Sequence, residues 1–195
     1  MFVSVLLAAS LAAPVPKAKV PNYLPLAVGN KWVYEQDGRE VSEEVTKVAE
    51  KDGETRVTTT HSSGPGNHWE MEYVVKDGAV YQSRAAGFAF DPPVRHAALD
   101  LKAGAKWTST TPPVKGVLAM SGEMAVGEAE EVKVPAGTFT AVPVVYAVTE
   151  ESGQKLNKPK VYTYWYAEGV GLVRMKYDGG EKVLKEFTTA KDAKK

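Results

Sequence analysis

Two histidines and two glutamates near a glycine-rich turn form a candidate metal-binding set. A four-residue turn at 64–67 would place His61 opposite Glu70, and strand alternation would then put the whole set on one face of a hairpin. The set comprises His61, His68, Glu70 and Glu72. Two imidazoles and two carboxylates are donors that Zn²⁺ or a similar ion accepts. The same pattern is typical of a solvated polar face, which we favour, so no cofactor is expected.

A row of tyrosines is the stronger candidate for a binding surface. Tyr162, Tyr164 and Tyr166 alternate along one predicted strand, so their rings share a face, and Tyr146 lies on the preceding strand. A concave aromatic face could hold an apolar or amphipathic small molecule, such as a lipid or a glycan. The sequence therefore predicts ligand binding by these four tyrosines.

No familiar catalytic signature is present. The sequence lacks the G-x-S-x-G, H-E-x-x-H, P-loop and G-x-G-x-x-G patterns. Adjacent glutamates at 43–44, 130–131 and 150–151 would point to opposite faces of their strands, so they cannot act directly as a general acid/base pair. We interpret them as solubilising and edge-protecting charges, and we expect the protein not to be an enzyme.

Composition excludes several classes of partner and site. Across 195 residues, 24 Lys and Arg balance 24 Asp and Glu, and only five of the basic residues are Arg. A chain with no net charge and little Arg has neither the field nor the bidentate donors that nucleic-acid binding uses. The absence of Cys removes disulfides, thiolate metal sites, a cysteine nucleophile and a lipidated N-terminal cysteine. We expect no nucleic-acid partner, and we expect that the protein is not a lipoprotein.

The first thirteen residues are typical of the apolar region of a signal peptide. About a dozen apolar residues are too few to cross a bilayer, which needs about 20. We predict a signal peptide over 1–13, an extended segment over 14–23, a single β domain over 24–189 and a flexible tail over 190–195. The protein is expected to be exported to the periplasm or the extracellular space, without a transmembrane segment.

Turn signals divide the rest of the chain into strands. Asp-Gly occurs four times between stretches rich in Val, Thr and aromatic residues, and it favours tight hairpin turns because it tolerates positive φ. A loop is predicted around 91–93, at most a short helical turn at 96–101, and a bend at Gly122 and Gly127. The predicted strands cover 31–36, 39–51, 54–62, 68–76, 79–84, 107–110, 117–134, 138–150, 161–168, 172–178 and 181–188.

The apolar pattern indicates the shape of the sheet. Strands 138–150 and 161–168 are apolar on both faces, whereas a simple sandwich would alternate more cleanly. We therefore predict an all-β fold with little or no helix, as one antiparallel, strongly curved meander sheet or an open (half) β-barrel. The pattern Leu-x-Leu-x-x-Gly-x-Lys-Trp ends at both Trp32 and Trp107. Two similar halves, 24–98 and 99–189, could build this sheet; the alternatives are chance or one turn used twice.

Three motifs together resemble a known group of proteins. They are Gly29-Asn-Lys-Trp-Val-Tyr34, Val134-Pro-Ala-Gly-Thr-Phe139 and Tyr164-Trp-Tyr-Ala-Glu-Gly-Val-Gly-Leu-Val173. In order and spacing, this set resembles uncharacterised exported bacterial β-sheet proteins that are classed as a domain of unknown function. The resemblance implies a strongly curved antiparallel sheet and an envelope location. It implies no activity, because the group has no established catalytic residues.

Three functional hypotheses follow. The favoured one is a non-enzymatic envelope protein that binds an apolar or amphipathic ligand in the concave face of a curved sheet. The second is an interaction module that contacts an envelope protein or the cell wall and has no small ligand. The third, and least favoured, is a hydrolase that uses carboxylates paired across strands. A continuous apolar cavity would favour the first hypothesis, and a filled interior with an exposed aromatic patch would favour the second.

Overall fold

The computed structural model describes residues 22–114 and 116–190, and these residues form one antiparallel sheet of thirteen strands. No helix occurs in them, and so none there could cross a membrane. The predicted signal peptide, most of the predicted extended segment and nearly all of the predicted tail lie outside these residues. The strands are β1 Lys31–Gln36, β2 Arg39–Lys51, β3 Glu54–Ser62, β4 His68–Lys76, β5 Ala79–Ala85, β6 Phe88–Ala98, β7 Lys106–Thr111, β8 Met120–Val126, β9 Glu130–Val134, β10 Gly137–Glu151, β11 Gln154–Ala167, β12 Gly171–Tyr177 and β13 Gly180–Thr188.

The order of strands shows a sheet that curves almost into a closed barrel. The order is β6-β5-β4-β3-β2-β1-β13-β12-β11-β10-β8-β7, and β9 pairs with β10 beside β8. Strands β6 and β7 are the two edges, and in the described residues no backbone ladder joins them. Side chains cross this seam: Ser109 donates a hydrogen bond to the Arg95 carbonyl at 3.0 Å, and the Arg95 guanidinium lies 5.2 Å from the Trp107 ring centroid. The predicted fold class is therefore confirmed.

The four Asp-Gly pairs form the two-residue turns that the sequence predicts. They connect β1 to β2, β2 to β3, β4 to β5 and β12 to β13, and the flanking residues of each turn pair directly. Asp37, Asp52 and Asp77 have φ near 50°, and each is followed by a glycine with positive φ. This is the combination that matches the right-handed twist of the flanking strands.

The two copies of the Leu-x-Leu-x-x-Gly-x-Lys-Trp segment fold alike. The Gly29 amide donates to the Val45 carbonyl at 2.8 Å, and the Gly104 amide donates to the Val126 carbonyl at 2.9 Å. Each segment delivers a buried tryptophan into the first residues of a strand. Six strands, β1 to β6, follow the first copy, and seven strands, β7 to β13, follow the second. The two groups of strands meet at two places in the curved sheet. At one of them β13 and β1 are hydrogen-bonded, and at the other β6 and β7 leave the seam open.

Three local predictions are wrong. Residues 91–93, predicted as a loop, lie inside β6, and the predicted helical turn at 96–101 is the end of β6 followed by a bend. The predicted strand 117–134 is two strands, β8 and β9, because the chain leaves the ladder at Gly127, whose amide donates to the Pro143 carbonyl at 2.8 Å. Pro143 of β10 lies opposite this gap between β8 and β9. Because no ladder partner faces it on that side, the missing amide hydrogen of proline costs no hydrogen bond with β8 or β9.

Candidate ligand-binding cavity

The curved sheet encloses a cavity of about 260 Å³ whose walls are mainly apolar and aromatic. Protein interiors rarely contain voids larger than one water molecule, so a cavity of this volume is unusually large for a packed interior. Its aliphatic and thioether lining includes Leu24, Leu26, Met71, Val80, Leu172 and Met175. Its aromatic lining is Trp32, Tyr34, Tyr73, Tyr164 and Tyr166, and its ionisable lining is Glu43, His61, His96 and Lys182.

Hydrogen bonds to the β12 region hold two aromatic rings of the cavity wall. The Trp32 indole donates from Nε1 to the Val170 carbonyl at 2.6 Å, and the Tyr34 hydroxyl donates to the Leu172 carbonyl at 3.1 Å. Both side chains are buried, and burial raises the pKa of Tyr34 well above its ordinary value. Because the polar atoms of these rings are satisfied by backbone carbonyls, their carbon atoms remain available to line the cavity.

The structure separates the four predicted tyrosines into two pairs. Tyr164 and Tyr166 line the cavity, with their rings stacked at 6.4 Å between centroids, and burial raises the pKa of both hydroxyls. All four tyrosines pack in one apolar cluster that contains Trp107, but Tyr146 and Tyr162 do not line the cavity. Their rings lie 6.2 Å apart, and the Tyr146 hydroxyl donates to the Ser109 carbonyl at 3.2 Å. A binding role for the four tyrosines stays a prediction, and only the first pair is placed where the cavity could use it.

His61 lies inside the sheet, where three polar groups and one aromatic ring surround it. Its Nε2 shares a hydrogen bond with Thr59 Oγ1 at 2.9 Å and lies 3.8 Å from Glu43 Oε1. The imidazole stacks on Trp69 with 5.5 Å between ring centroids. Burial lowers the pKa of His61 below its ordinary value; the Glu43 carboxylate opposes this shift, and the Lys182 ammonium adds to it.

The predicted metal set is not brought together. His61 pairs with Trp69 and Ser62 pairs with His68, so the register differs by one residue from the predicted pairing of His61 with Glu70. The reason is the length of the loop, because Ser63 and Asn67 close it with a backbone hydrogen bond at 3.2 Å. His61 therefore faces the interior, and His68, Glu70 and Glu72 face the other way. No group of three His, Asp or Glu side chains with metal-binding geometry occurs in the described part of the chain.

Three ionisable residues of the cavity lining are not among the candidates that the sequence suggests. Glu43 was interpreted as a solubilising charge, but it faces the interior between Val41 and Val45, and its side chain is only 21% exposed. Lys182 lies two residues before the buried Leu184 and lines the cavity, as does His96 from β6. A charged residue at the inward position of an alternating apolar pattern, as in Val41-x-Glu43-x-Val45, is the signal that could have identified Glu43.

The buried imidazole of His61 should make stability depend on pH. The pKa of His61 is lower in the folded chain than its ordinary value of about 6.5, because burial disfavours the charged form. Below about pH 6.5 the unfolded state therefore binds a proton that the folded state does not. This contribution to stability is present above that pH and is lost as the pH falls through the folded pKa.

His61 should make the free energy of unfolding change with pH by at most about 1.4 kcal/mol per pH unit. Urea unfolding of the wild type and of His61→Gln between pH 7.5 and pH 5.5 measures it, and the variant should lose less stability across this range. His68→Gln, which changes an exposed histidine on the other face of the hairpin, should retain the wild-type dependence. Equal losses in the wild type and in His61→Gln would contradict the assignment.

The fold and the cavity together define an all-β protein whose curved antiparallel sheet surrounds an interior cavity. Residues 121–186 match a family model described as DUF3108-like. The predicted resemblance to an uncharacterised domain family is thereby confirmed. No curated protein matches the sequence.

Two solved structures are similar in fold. One is described as a "putative lipoprotein" from Parabacteroides distasonis; it has a TM-score of 0.56 and 15% sequence identity, and the match covers 87% of this chain and 100% of that chain. The other is described as a "putative exported protein with YmcC-like fold" from Bacteroides fragilis; it has a TM-score of 0.53 and 15% identity, and the match covers 87% of this chain and 98% of that chain. At this identity, the likeness concerns the fold.

Proposed function

We propose that this chain is a non-enzymatic exported protein that binds one apolar or amphipathic small molecule inside its curved sheet. The observation that carries the proposal is the interior cavity of about 260 Å³ with its aromatic and aliphatic walls. Small-molecule sites are typically concave, mostly apolar and provided with a few polar groups, over a range of about 300–1,000 Å³. This cavity is slightly smaller than the lower limit of that range and corresponds to a compact ligand.

The arrangement of charges supports binding over hydrolysis. Among the described residues that line the cavity, Glu43 is the one carboxylate. Glycoside hydrolysis by two carboxylates needs a facing pair at about 5–10 Å, and the cavity lining supplies one member. The ionisable groups of the cavity are better suited to orienting a polar part of a ligand than to transferring protons between two carboxyl groups.

The exposed surface gives less support to a module without a small ligand. Among the described residues, four large apolar side chains are exposed. Val48 and Val161 lie on β2 and β11, which are not neighbours in the sheet, and Val28 and Leu118 lie in loops. An interaction surface typically shows a contiguous apolar patch rather than scattered residues. The tyrosines that the sequence suggested for such a surface face the inside of the sheet.

Export rests on the sequence and on the structural neighbours. Residues 1–13 are typical of a signal peptide, and one neighbour in fold is described as exported and the other as a lipoprotein. The printed sequence has no Cys that could carry the lipid of a lipoprotein. We therefore propose that the protein acts in the periplasm or outside the cell.

Binding of an uncharged fluorescent dye tests the proposed function. N-phenyl-1-naphthylamine gains fluorescence when it moves from water into an apolar cavity, and the purified chain should bind one molecule with saturation in the micromolar range. Urea-unfolded protein at the same concentration is the control and should give no saturable gain. A signal from the folded chain that rises linearly and does not saturate would contradict the proposal.

A further inference from the structure

A second, more open space lies directly outside the cavity. This surface depression has a volume of about 600 Å³ and lies beside the β1–β2 turn. It shares three side chains with the cavity, namely His61, Met71 and Lys182. These three residues therefore form the boundary between the interior and the surface. A ligand longer than the cavity would reach the surface here.

Lys182 is the residue at this boundary whose charge lacks a partner. Its Nζ lies 4.0 Å from the centroid of the Tyr34 ring, and among the described residues it makes no hydrogen bond or ion pair. In the described part of the chain, five other lysines make ion pairs with carboxylates: Lys76, Lys102, Lys106, Lys160 and Lys185. An ammonium that is partly removed from water and held against an aromatic ring retains three N–H donors for an anion.

The other charges of the depression also favour an anion. Arg39 lines it and is exposed, with no ion pair among the described residues. Asp37 is its one carboxylate, and that carboxylate already accepts hydrogen bonds from the Tyr177 hydroxyl and from the Glu181 amide. Among its described residues, the depression thus has two cations without carboxylate partners, Lys182 and Arg39. Its one carboxylate, Asp37, already accepts hydrogen bonds from two donors.

The position of Glu43 bears on the orientation of an amphipathic ligand, that is, on whether its anionic group would lie in the cavity or in the depression. Its carboxylate lines the cavity but not the depression, and its Oε1 lies 3.8 Å from His61 Nε2. A negative head group in the cavity would be repelled by this carboxylate, whereas one in the depression would meet Lys182 first. The apolar part of the ligand would then occupy the aromatic interior.

We propose that the ligand of the cavity is an amphipathic anion whose apolar part lies among the aromatic walls and whose anionic group, of the carboxylate type, binds Lys182 at the boundary. This inference rests on the proposed function and adds the chemical class and the orientation of the ligand. Burial lowers the pKa of Lys182, and the Glu43 carboxylate partly offsets this shift. An anionic group bound close to the ammonium would favour its charged form further.

A matched pair of ligands in the wild-type protein tests the head group. Decanoate and decanol have the same number of carbons and differ in charge, and both can be titrated against bound N-phenyl-1-naphthylamine. Decanoate should displace the dye at a concentration at least tenfold lower than decanol does. If the dye binds but decanol competes as well as decanoate, the inference is overturned and the proposed function stands. If the dye does not bind at all, the proposed function itself fails.

Variants of Lys182 test the assigned residue. Lys182→Met should abolish the preference for decanoate over decanol, and Lys182→Arg should retain this preference. Lys185→Met removes an exposed lysine of the same strand that pairs with Glu40 at 2.9 Å, and it should behave as the wild type. A preference that survives in Lys182→Met contradicts the assignment. Should that variant fail to fold, the comparison of Lys182→Arg with Lys182→Gln decides in the same way.

Discussion

Leu184→Ala should lower the free energy of unfolding by about 2–5 kcal/mol, the range measured for removing a fully buried leucine side chain. Leu184 is 0% exposed and belongs to the apolar cluster that contains Trp32, Tyr34 and Val45. The substitution removes buried apolar surface and leaves a void, and the surrounding strands cannot collapse into it because their ladders hold them in place. Urea denaturation followed by tryptophan fluorescence measures the change in the unfolding midpoint.

Leu118→Ala is the matched control, because it makes the same chemical change at a residue that is 50% exposed. It should alter stability by less than about 0.5 kcal/mol, as surface substitutions usually do. If Leu184→Ala cost less than 1 kcal/mol, Leu184 would not occupy the centre of a packed core. The contact between its carbonyl and the Ala136 amide, at 3.0 Å, involves only backbone and should persist in the variant.

Met175→Trp should weaken binding of N-phenyl-1-naphthylamine by at least about 100-fold, which corresponds to about 2.7 kcal/mol. Met175 lines the cavity from β12, directly opposite Tyr164 on β11 and Lys182 on β13. An indole at this position is larger than the thioether chain and would occupy much of the 260 Å³ that a ligand needs. Because the added volume enters an existing space, unfolding should remain cooperative.

Lys176→Trp is the control for this substitution. Lys176 is the next residue of the same strand and is exposed on the opposite face, so the variant adds the same ring outside the cavity. It should bind the dye within about twofold of the wild type. Retained binding in Met175→Trp, with the fold intact by circular dichroism, would place the dye elsewhere on the molecule.

The sequence patterns that predicted structure correctly depend on only a few neighbouring residues. Asp-Gly turns such as Asp37-Gly38 depend on the φ values that two adjacent residues can adopt, and alternation of apolar and polar residues depends on a period of two. For this reason the predicted bounds of β1, β2, β3 and β4 agree with the structure residue by residue. The repeated Leu-x-Leu-x-x-Gly-x-Lys-Trp pattern also folds twice in the same way, because its turn is closed by local backbone hydrogen bonds.

The predictions of register and of strand bounds were wrong where they depended on the length of one loop or on pairing with a strand that is distant in the sequence. Closing the loop between β3 and β4 at Ser63 and Asn67 shifted the pairing by one residue, and His61 thereby moved from the predicted outer face to the interior. The division of 117–134 into β8 and β9 depends on Pro143, which lies on another strand and offers no amide hydrogen to the gap. The predicted helical turn at 96–101 does not form, because β6 pairs with β5 up to Ala98.

The sequence by itself determined that this protein is an all-β meander without helix in its described part, with a strongly curved sheet and an aromatic interior. Tertiary structure alone decided that a cavity remains in that interior and that Glu43 and Lys182 line it. The reason is that each face of a strand is known from alternation, but the groups that meet across the inside come from strands that do not pair with each other. The Tyr34 hydroxyl of β1 and the Leu172 carbonyl of β12, which are 138 residues apart in the chain, are an example. Their meeting depends on the register of every ladder between them and on the curvature that brings β6 next to β7.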